Sequence, residues 1–296
     1  MKLETSLSRK LGLRYPFVAA PMFLISNREM IVACADAGVL GCMPSLNCRT
    51  KEKLREDLEW IRARTDKAFG INLTLGLTPK ERIEDDFALC MEFEVPVLLT
   101  SYGNPTDIVR RAHEHKRLVF HDVIGLSHGK KAVTAGVDGI IAVGAGAGGH
   151  AGLISPFVLV PWLKAELGVP ILAAGCISDG RQVAASLCLG AELCYIGTRF
   201  IASTECGASQ AYKDKVVAAG PEDIVYTDAV SGIHANFIKD TVPANFSPDR
   251  SPEGAKRWKD IWSAGQGVGL VQAVKPIGQI VEDLAREAHD ALAALA

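Results

Sequence analysis

The residues best suited to chemistry stand in one run, Gly144-Ala-Gly146-Ala-Gly148-Gly149-His150-Ala-Gly152. Glycine has no Cβ, so a segment this rich in it can lay bare backbone flat against a planar ligand. A single imidazole then projects over that ligand. With an ordinary pKa near 6.5, it offers a neutral base at neutral pH. Gly144, Gly146 and Gly149 also make a formal G-x-G-x-x-G match. A dinucleotide fingerprint follows the first strand of its unit and needs a ribose-binding acid roughly 20 residues on. Here the run follows the sixth apolar strand, and a helix start at Ser155-Pro156 leads the region that follows. A dinucleotide fold is therefore rejected.

Two further loops hold the residue types that bind phosphate. One is Ala173-Ala-Gly175-Cys-Ile-Ser-Asp-Gly180; the other is Ile196-Gly197-Thr198-Arg199. In each, glycine lets backbone N–H groups approach an anion, and a helix start follows. The remaining histidines have plainer readings. His113 and His115 are two apart, so they leave a helix on different faces and make a poor metal pair. His121 ends a strand near the same mouth, and His234 lies in a polar stretch read as surface. Lys130-Lys131 reads as a solvated helix face.

Positioning these loops requires a regular scaffold, and the chain supplies one. Apolar, β-branched runs fall at 17–20, 39–43, 68–73, 95–100, 117–121, 137–143, 169–174 and 193–196, with helical stretches between them. Gly38, Gly136, Gly168 and Gly190 each stand at a helix exit just before a strand, where a left-handed cap belongs. Helix starts are expected at Ser26-x-x-Glu29 and Thr78-Pro79-x-Glu81, both as capping boxes, and at Ser155-Pro156 and Ser178-Asp179. The repeat of strand, helix and glycine predicts parallel βαβ units, and eight of them close into an α/β (β/α)8 TIM barrel. A doubly wound open sheet is the alternative. Loops seven and eight are the usual phosphate site of such a barrel. Residues 1–207 and 264–296 are assigned to the barrel. Residues 208–263 are assigned to a small, mainly helical excursion after strand eight, a lid or substrate subdomain, with 204–219 helical and no strand rhythm beyond. The segment 264–296 is expected to return as a closing helix, with the 3.6-residue pattern over 281–295.

The chain has 296 residues, 48% hydrophobic and 22% charged, with a formal net charge of −2. That balance gives no electrostatic reason to expect nucleic acid or an anionic membrane. No apolar stretch approaches the roughly 20 residues of a bilayer span. The first residues lack an apolar signal region, so a cytoplasmic location is expected. The eight cysteines contain no C-x-x-C pair, which excludes a zinc framework and leaves them as small buried hydrophobes.

These residues resemble the nitronate monooxygenase (2-nitropropane dioxygenase-like) family of FMN-dependent TIM-barrel oxidoreductases. The shared motifs are Ala20-Pro21-Met22, Gly70-Ile-Asn72-Leu, Ala147-Gly-Gly-His150, Ala173-Ala-Gly175, Ile196-Gly197-Thr198 and Ala264-Gly-Gln266-Gly. The resemblance implies FMN at the barrel mouth. Gly175, Gly197 and Thr198 would take its phosphate; Met22, Asn72, Gly148 and Gly149 would meet the ring or ribityl chain. Gln266 would approach from the C-terminal segment, and His150 would be the base or proton donor. Three departures bear on substrate identity. Val143 and Gly146 stand where many members have Gln and Glu, and Tyr195 replaces a Gln facing the cofactor. Cys176 replaces a common second Gly.

The implied activity is oxidation of alkyl nitronates or nitroalkanes with O2. The alternative is an NAD(P)H-dependent quinone or enoyl reductase on the same scaffold. A flavin-free barrel binding a sugar phosphate is a third reading. The partners expected are a small-molecule substrate, NAD(P)H in the reductase reading, and no nucleic acid or membrane. A homo-oligomer is left open.

Overall fold

The computed structural model describes residues 3–243 and 260–295. Eight parallel strands close into a barrel in the order β1-β2-β3-β4-β5-β6-β8-β9. They are β1 (Phe17–Ala19), β2 (Leu40–Pro44), β3 (Phe69–Thr74), β4 (Val97–Ser101), β5 (Leu118–Val123), β6 (Gly139–Val143), β8 (Ile171–Ala174) and β9 (Leu193–Ile196). All eight expected strands are present, each starting within two residues of its expected place, and the open-sheet alternative falls.

Alternation along each strand divides the core in two. Val18, Leu40, Val97, Leu99, Phe120, Ile141, Leu172 and Leu193 point inward and fill the barrel. Phe17, Ile71, Leu98, Val119, Ile140 and Ile196 point outward, under the helices. Burial on both faces is why the strands read as continuous apolar runs.

The covering helices are α2 (Arg28–Asp36), α3 (Lys51–Arg62), α4 (Lys80–Glu92), α5 (Thr106–Glu114), α6 (Leu126–Thr134), α7 (Pro156–Leu167) and α8 (Gly180–Cys188), with a short α1 (Ser6–Lys10) ahead of the barrel. Gly38, Gly136, Gly168 and Gly190 all have positive φ, so the exits are the left-handed turns that glycine permits. The starts were read less well. Asn27, not Ser26, caps α2 by accepting from Met30 N, and the Ser26 hydroxyl instead accepts from Met22 N. Pro79 caps α4 with no side-chain bond. Asp179 does cap α8, in a capping box with Gln182.

Beyond β9 come α9 (Thr198–Ile201), α10 (Gln210–Ala218), and then two strands, β10 (Ile224–Thr227) and β11 (Ala235–Ile238). These pair antiparallel with each other, and β11 pairs with β7 (Gly149–His150) in a second, three-stranded sheet. A segment expected to show no strand rhythm thus contains strands. They are four residues long, and the partly exposed β10 has no apolar period to betray it. Residues 244–259 of the expected excursion lie outside the described residues.

The closing helix α11 (Ile277–Ala293) takes up only the later part of the expected segment and buries Ile277, Ile280, Val281, Leu284, Ala285 and Ala288. It crosses α8 at Gly180, where a Cβ would lie 2.2 Å from Ala288 N and 2.5 Å from Leu284 O. Backbone cannot yield there as a flexible side chain can. Gly180→Ala should therefore cost about 1–3 kcal/mol, the usual penalty of overpacking. A urea midpoint unchanged from the parent would show that the crossing has slack. No described helix is long and apolar enough to cross a membrane.

Candidate active site

His150 stands on the rim of the barrel, held from the far side by the second sheet. Its register is fixed by pairing with Ala235, while Gly149 pairs with Asn236. The buried Asn236 amide donates to Ala147 O at 2.7 Å, and Tyr226 Oη donates to Ala151 O at 3.0 Å. The His-bearing run is thus anchored on both sides of the imidazole. Tyr102 meets the ring edge-on, with centroids 5.5 Å apart.

The tautomer of His150 follows from its one hydrogen bond. Nε2 lies 3.2 Å from Ser231 Oγ, and that hydroxyl already donates its proton to Ile233 O at 2.9 Å. A serine hydroxyl has one proton to give. It must therefore accept from Nε2–H, which leaves the lone pair on Nδ1. Although the side chain is exposed at the rim, partial desolvation in the mouth lowers its pKa below 6.5. The ring is neutral at pH 7.

The glycines of the run serve the fold as well as the mouth. A Cβ at Gly144 would strike Pro156, one at Gly146 the side chains of Cys176 and Gln266, and one at Gly148 the backbone of Ala264 and Gly265. Gly149 has φ +71° and open space around it. Most of the run is glycine because other segments press against its backbone. Bare backbone toward a ligand is a further consequence, since Gly148 remains exposed on its free side.

The other expected residues gather around the same mouth. Gly175 has φ +111° and is followed by Cys176 at φ +57°, an uncommon conformation for a side chain. Gly197 leads into α9, and a Cβ there would meet nothing closer than 3.9 Å. The buried Thr198 accepts from Gly265 N through Oγ1 at 2.9 Å, and Gln266 N donates to Gly146 O at 2.9 Å. The C-terminal segment therefore ties the β9 loop to the His-bearing run. Met22 follows β1, its backbone fixed by Ser26 and Asn47. Asn72 points inward from β3 and uses its amide on Leu99 O and Ser101 Oγ, both at 3.2 Å. Tyr195 points inward from β9. A cavity of about 360 Å³ lies between the loops after β6 and β8, lined by Ala145, Ser155, Gly175, Cys176, Gln182 and Gln266. It adjoins the phosphate-type loop rather than His150.

The plainer readings of the other histidines were tested by their surroundings. His113 pairs with Asp138 at 2.9 Å. His121 points away from the mouth, shares a 2.8 Å hydrogen bond with Thr100 Oγ1, and burial brings its pKa down to about 4. His234 stacks on Tyr226. No cluster of His, Cys, Asp and Glu able to hold a metal occurs among the described residues, and all eight cysteines are free.

Sequence reading passed over three groups in the mouth: Tyr102, Asp122 and Ser231. Asp122 lies two residues beyond Phe120 and shares its inward direction, but that direction had to come from the structure. Ser231 was not legible either, because its place depends on the second sheet.

Comparison with known proteins agrees with this architecture. A structure of FabK from Thermotoga maritima superposes with a TM-score of 0.88 at 31% identity, covering 99% of this chain and 98% of that one. A probable nitronate monooxygenase of Staphylococcus saprophyticus is 25% identical over 98% of this chain and 99% of its own length. A carboxyl-CoA dehydrogenase of Mycobacterium tuberculosis, acting on a hydroxy-methyl-oxo-octahydroindene, is 30% identical over 81% of this chain and 67% of its own. Fold and relatives define the class, a (β/α)8-barrel oxidoreductase. The nitronate monooxygenase family model matches residues 4–248, and the chain belongs to that family.

Proposed function

We propose that this protein is an FMN-dependent nitronate monooxygenase that oxidises alkyl nitronates or nitroalkanes with O2, with His150 as its base. The observation that carries the reading is the state of His150. It is a neutral, rim-exposed imidazole with its Nε2 proton engaged by Ser231 and its Nδ1 lone pair free. Such a nitrogen accepts a proton from a carbon acid, and the conjugate imidazolium then faces the nitronate anion it has formed.

The residues present fit the cofactor. Gly175 and Gly197 leave backbone bare at the ends of β8 and β9, and Gly149 has open space above it. Gly175, Gly197 and Thr198 would hold the phosphate. Met22, Asn72, Gly148, Gly149, Tyr195 and Gln266 would surround the remainder. When bound, FMN supplies the electron transfer to O2 that no side chain here provides. The protein's share is to bind, orient and move one proton. The described part of 208–263, residues 208–243 and 260–263, we assign to the substrate side, because β11 pairs with the strand that carries the imidazole and β10 pairs with β11 in turn.

In a second reading NAD(P)H reduces the flavin and the electrons pass to a quinone or activated alkene; what supports it is the scaffold shared with FabK from Thermotoga maritima at 31% identity. One anaerobic experiment separates the two. The holoenzyme is mixed with a nitronate and, separately, with NADH or NADPH. Rapid bleaching of the flavin by the nitronate alone is the expected result; bleaching by the nicotinamide alone would replace the oxidase reading with the reductase one.

A further inference from the structure

The barrel mouth contains a carboxyl group that nothing in the reaction above uses. Asp122 lies on β5, two residues beyond Phe120, and so points into the barrel as Phe120 does. Its Oδ1 is sealed from solvent without a hydrogen-bond partner, while the residue as a whole stays partly accessible. Nearby, Tyr102 Oη is likewise buried without a partner, and Asp122 acts electrostatically on both Tyr102 and Tyr195. Tyr102 is itself strained, with φ +55°, and packs on His150. Unpaired buried polar atoms are costly, and strained residues persist where the surroundings hold them in place. Two orphaned polar atoms facing one mouth mark a place where a ligand completes the hydrogen bonding.

We propose that Asp122 is the polar anchor for the heterocycle of the bound flavin, its carboxyl meeting an edge where a ring N–H and a ring carbonyl stand side by side. The inference rests on the FMN reading of the site. A neutral carboxylic acid suits that edge because it donates and accepts at once, whereas a carboxylate only accepts. Burial raises the Asp122 pKa to about 7, so the neutral form is available. No charged side chain among the described residues opposes it. The titratable groups facing it are the phenols of Tyr102 and Tyr195, which burial raises and keeps neutral. On the strand itself, His121 points the other way, toward His128. The adjacent strand end offers Val143, which can make no such bond.

The test measures FMN affinity of the flavin-free protein by fluorescence quenching between pH 6 and pH 8. It compares the parent with Asp122→Asn and Asp122→Leu. Asn presents a donor and an acceptor at every pH, and the titration of the FMN phosphate is common to all three proteins. Relative to Asp122→Asn, the parent should lose about tenfold in affinity by pH 8, as one proton is lost per site. Calorimetry in two buffers should show extra proton uptake on binding by the parent, relative to both variants. Asp122→Leu should bind FMN about tenfold more weakly at pH 6, yet the flavin-free protein should melt at a higher temperature, because an unpaired buried carboxyl has gone. A purely structural Asp122 would move both quantities the same way. Parallel pH profiles in all three proteins would overturn the inference and leave the FMN reading standing. A parent that takes up no FMN at any pH would overturn the reading itself, and this inference with it.

Discussion

His150→Ala should keep its fold and its FMN but lose turnover of neutral nitroalkanes by about 10²–10⁴-fold, the range for removing a positioned base. Little stability is at stake. The ring is exposed and gives up one edge contact with Tyr102 and one hydrogen bond to Ser231, together about 1–2 kcal/mol. Turnover of a preformed nitronate, with no proton left to remove, should fall far less. The acid limb of the parent's pH profile carries the same information. With its pKa lowered by partial desolvation in the mouth, His150 titrates at a pH below 6.5. The rate on nitroalkane should therefore rise with pH through a value under 6.5 and then level off, and the nitronate profile should lack that limb. Equal losses on both substrates would assign His150 to positioning instead of proton abstraction.

The second large effect concerns the phosphate loops. Gly197→Asp should fold normally and purify without flavin. The site accepts a Cβ, since nothing lies closer than 3.9 Å, and Gly197 has a negative φ that any residue adopts. What the substitution adds is charge. A carboxylate about 4 Å from a phosphate costs on the order of 4 kcal/mol at the effective dielectric of a protein surface, enough to weaken binding about a thousandfold. Gly197→Asn has the same shape without the charge and should retain most of the flavin. Thr198 is a poorer choice for this experiment, because its hydroxyl is engaged by Gly265 N and any change there also loosens the C-terminal segment. Full flavin occupancy in Gly197→Asp would place the phosphate elsewhere.

The barrel was legible because each strand is buried on both faces and each helix exit needs a left-handed residue. Phe120 and Ile141 read as apolar runs whichever way they point, and Gly136 or Gly168 marks where a strand begins. Caps were harder. Ser26 and Asn27 are both good capping residues, and the choice fell to Asn27 because the Ser26 hydroxyl is occupied by Met22 N. The second sheet was not legible. β7 has two residues, both within a glycine-rich run that suggests a loop, and its partner arrives from 85 residues further along. Asp122 needed the register of β5 before its direction could be known. Local pattern thus encoded what local sterics decide, and left unwritten what depends on distant segments meeting.

The pairing of β7 with β11 ties together two things that selection usually treats apart. Enzymes that diversify their substrates commonly do so by remodelling the loops around a constant catalytic core. Here the backbone proposed to shape the substrate side also sets the height and angle of the His150 imidazole, the proposed base, through Ala235, Asn236 and Ser231. Insertions or exchanges across that backbone would misplace the base along with the pocket. New specificities in such a scaffold are therefore open chiefly to side-chain replacement on a backbone held still, and a lid transplanted whole from a relative would have to bring its own histidine register with it.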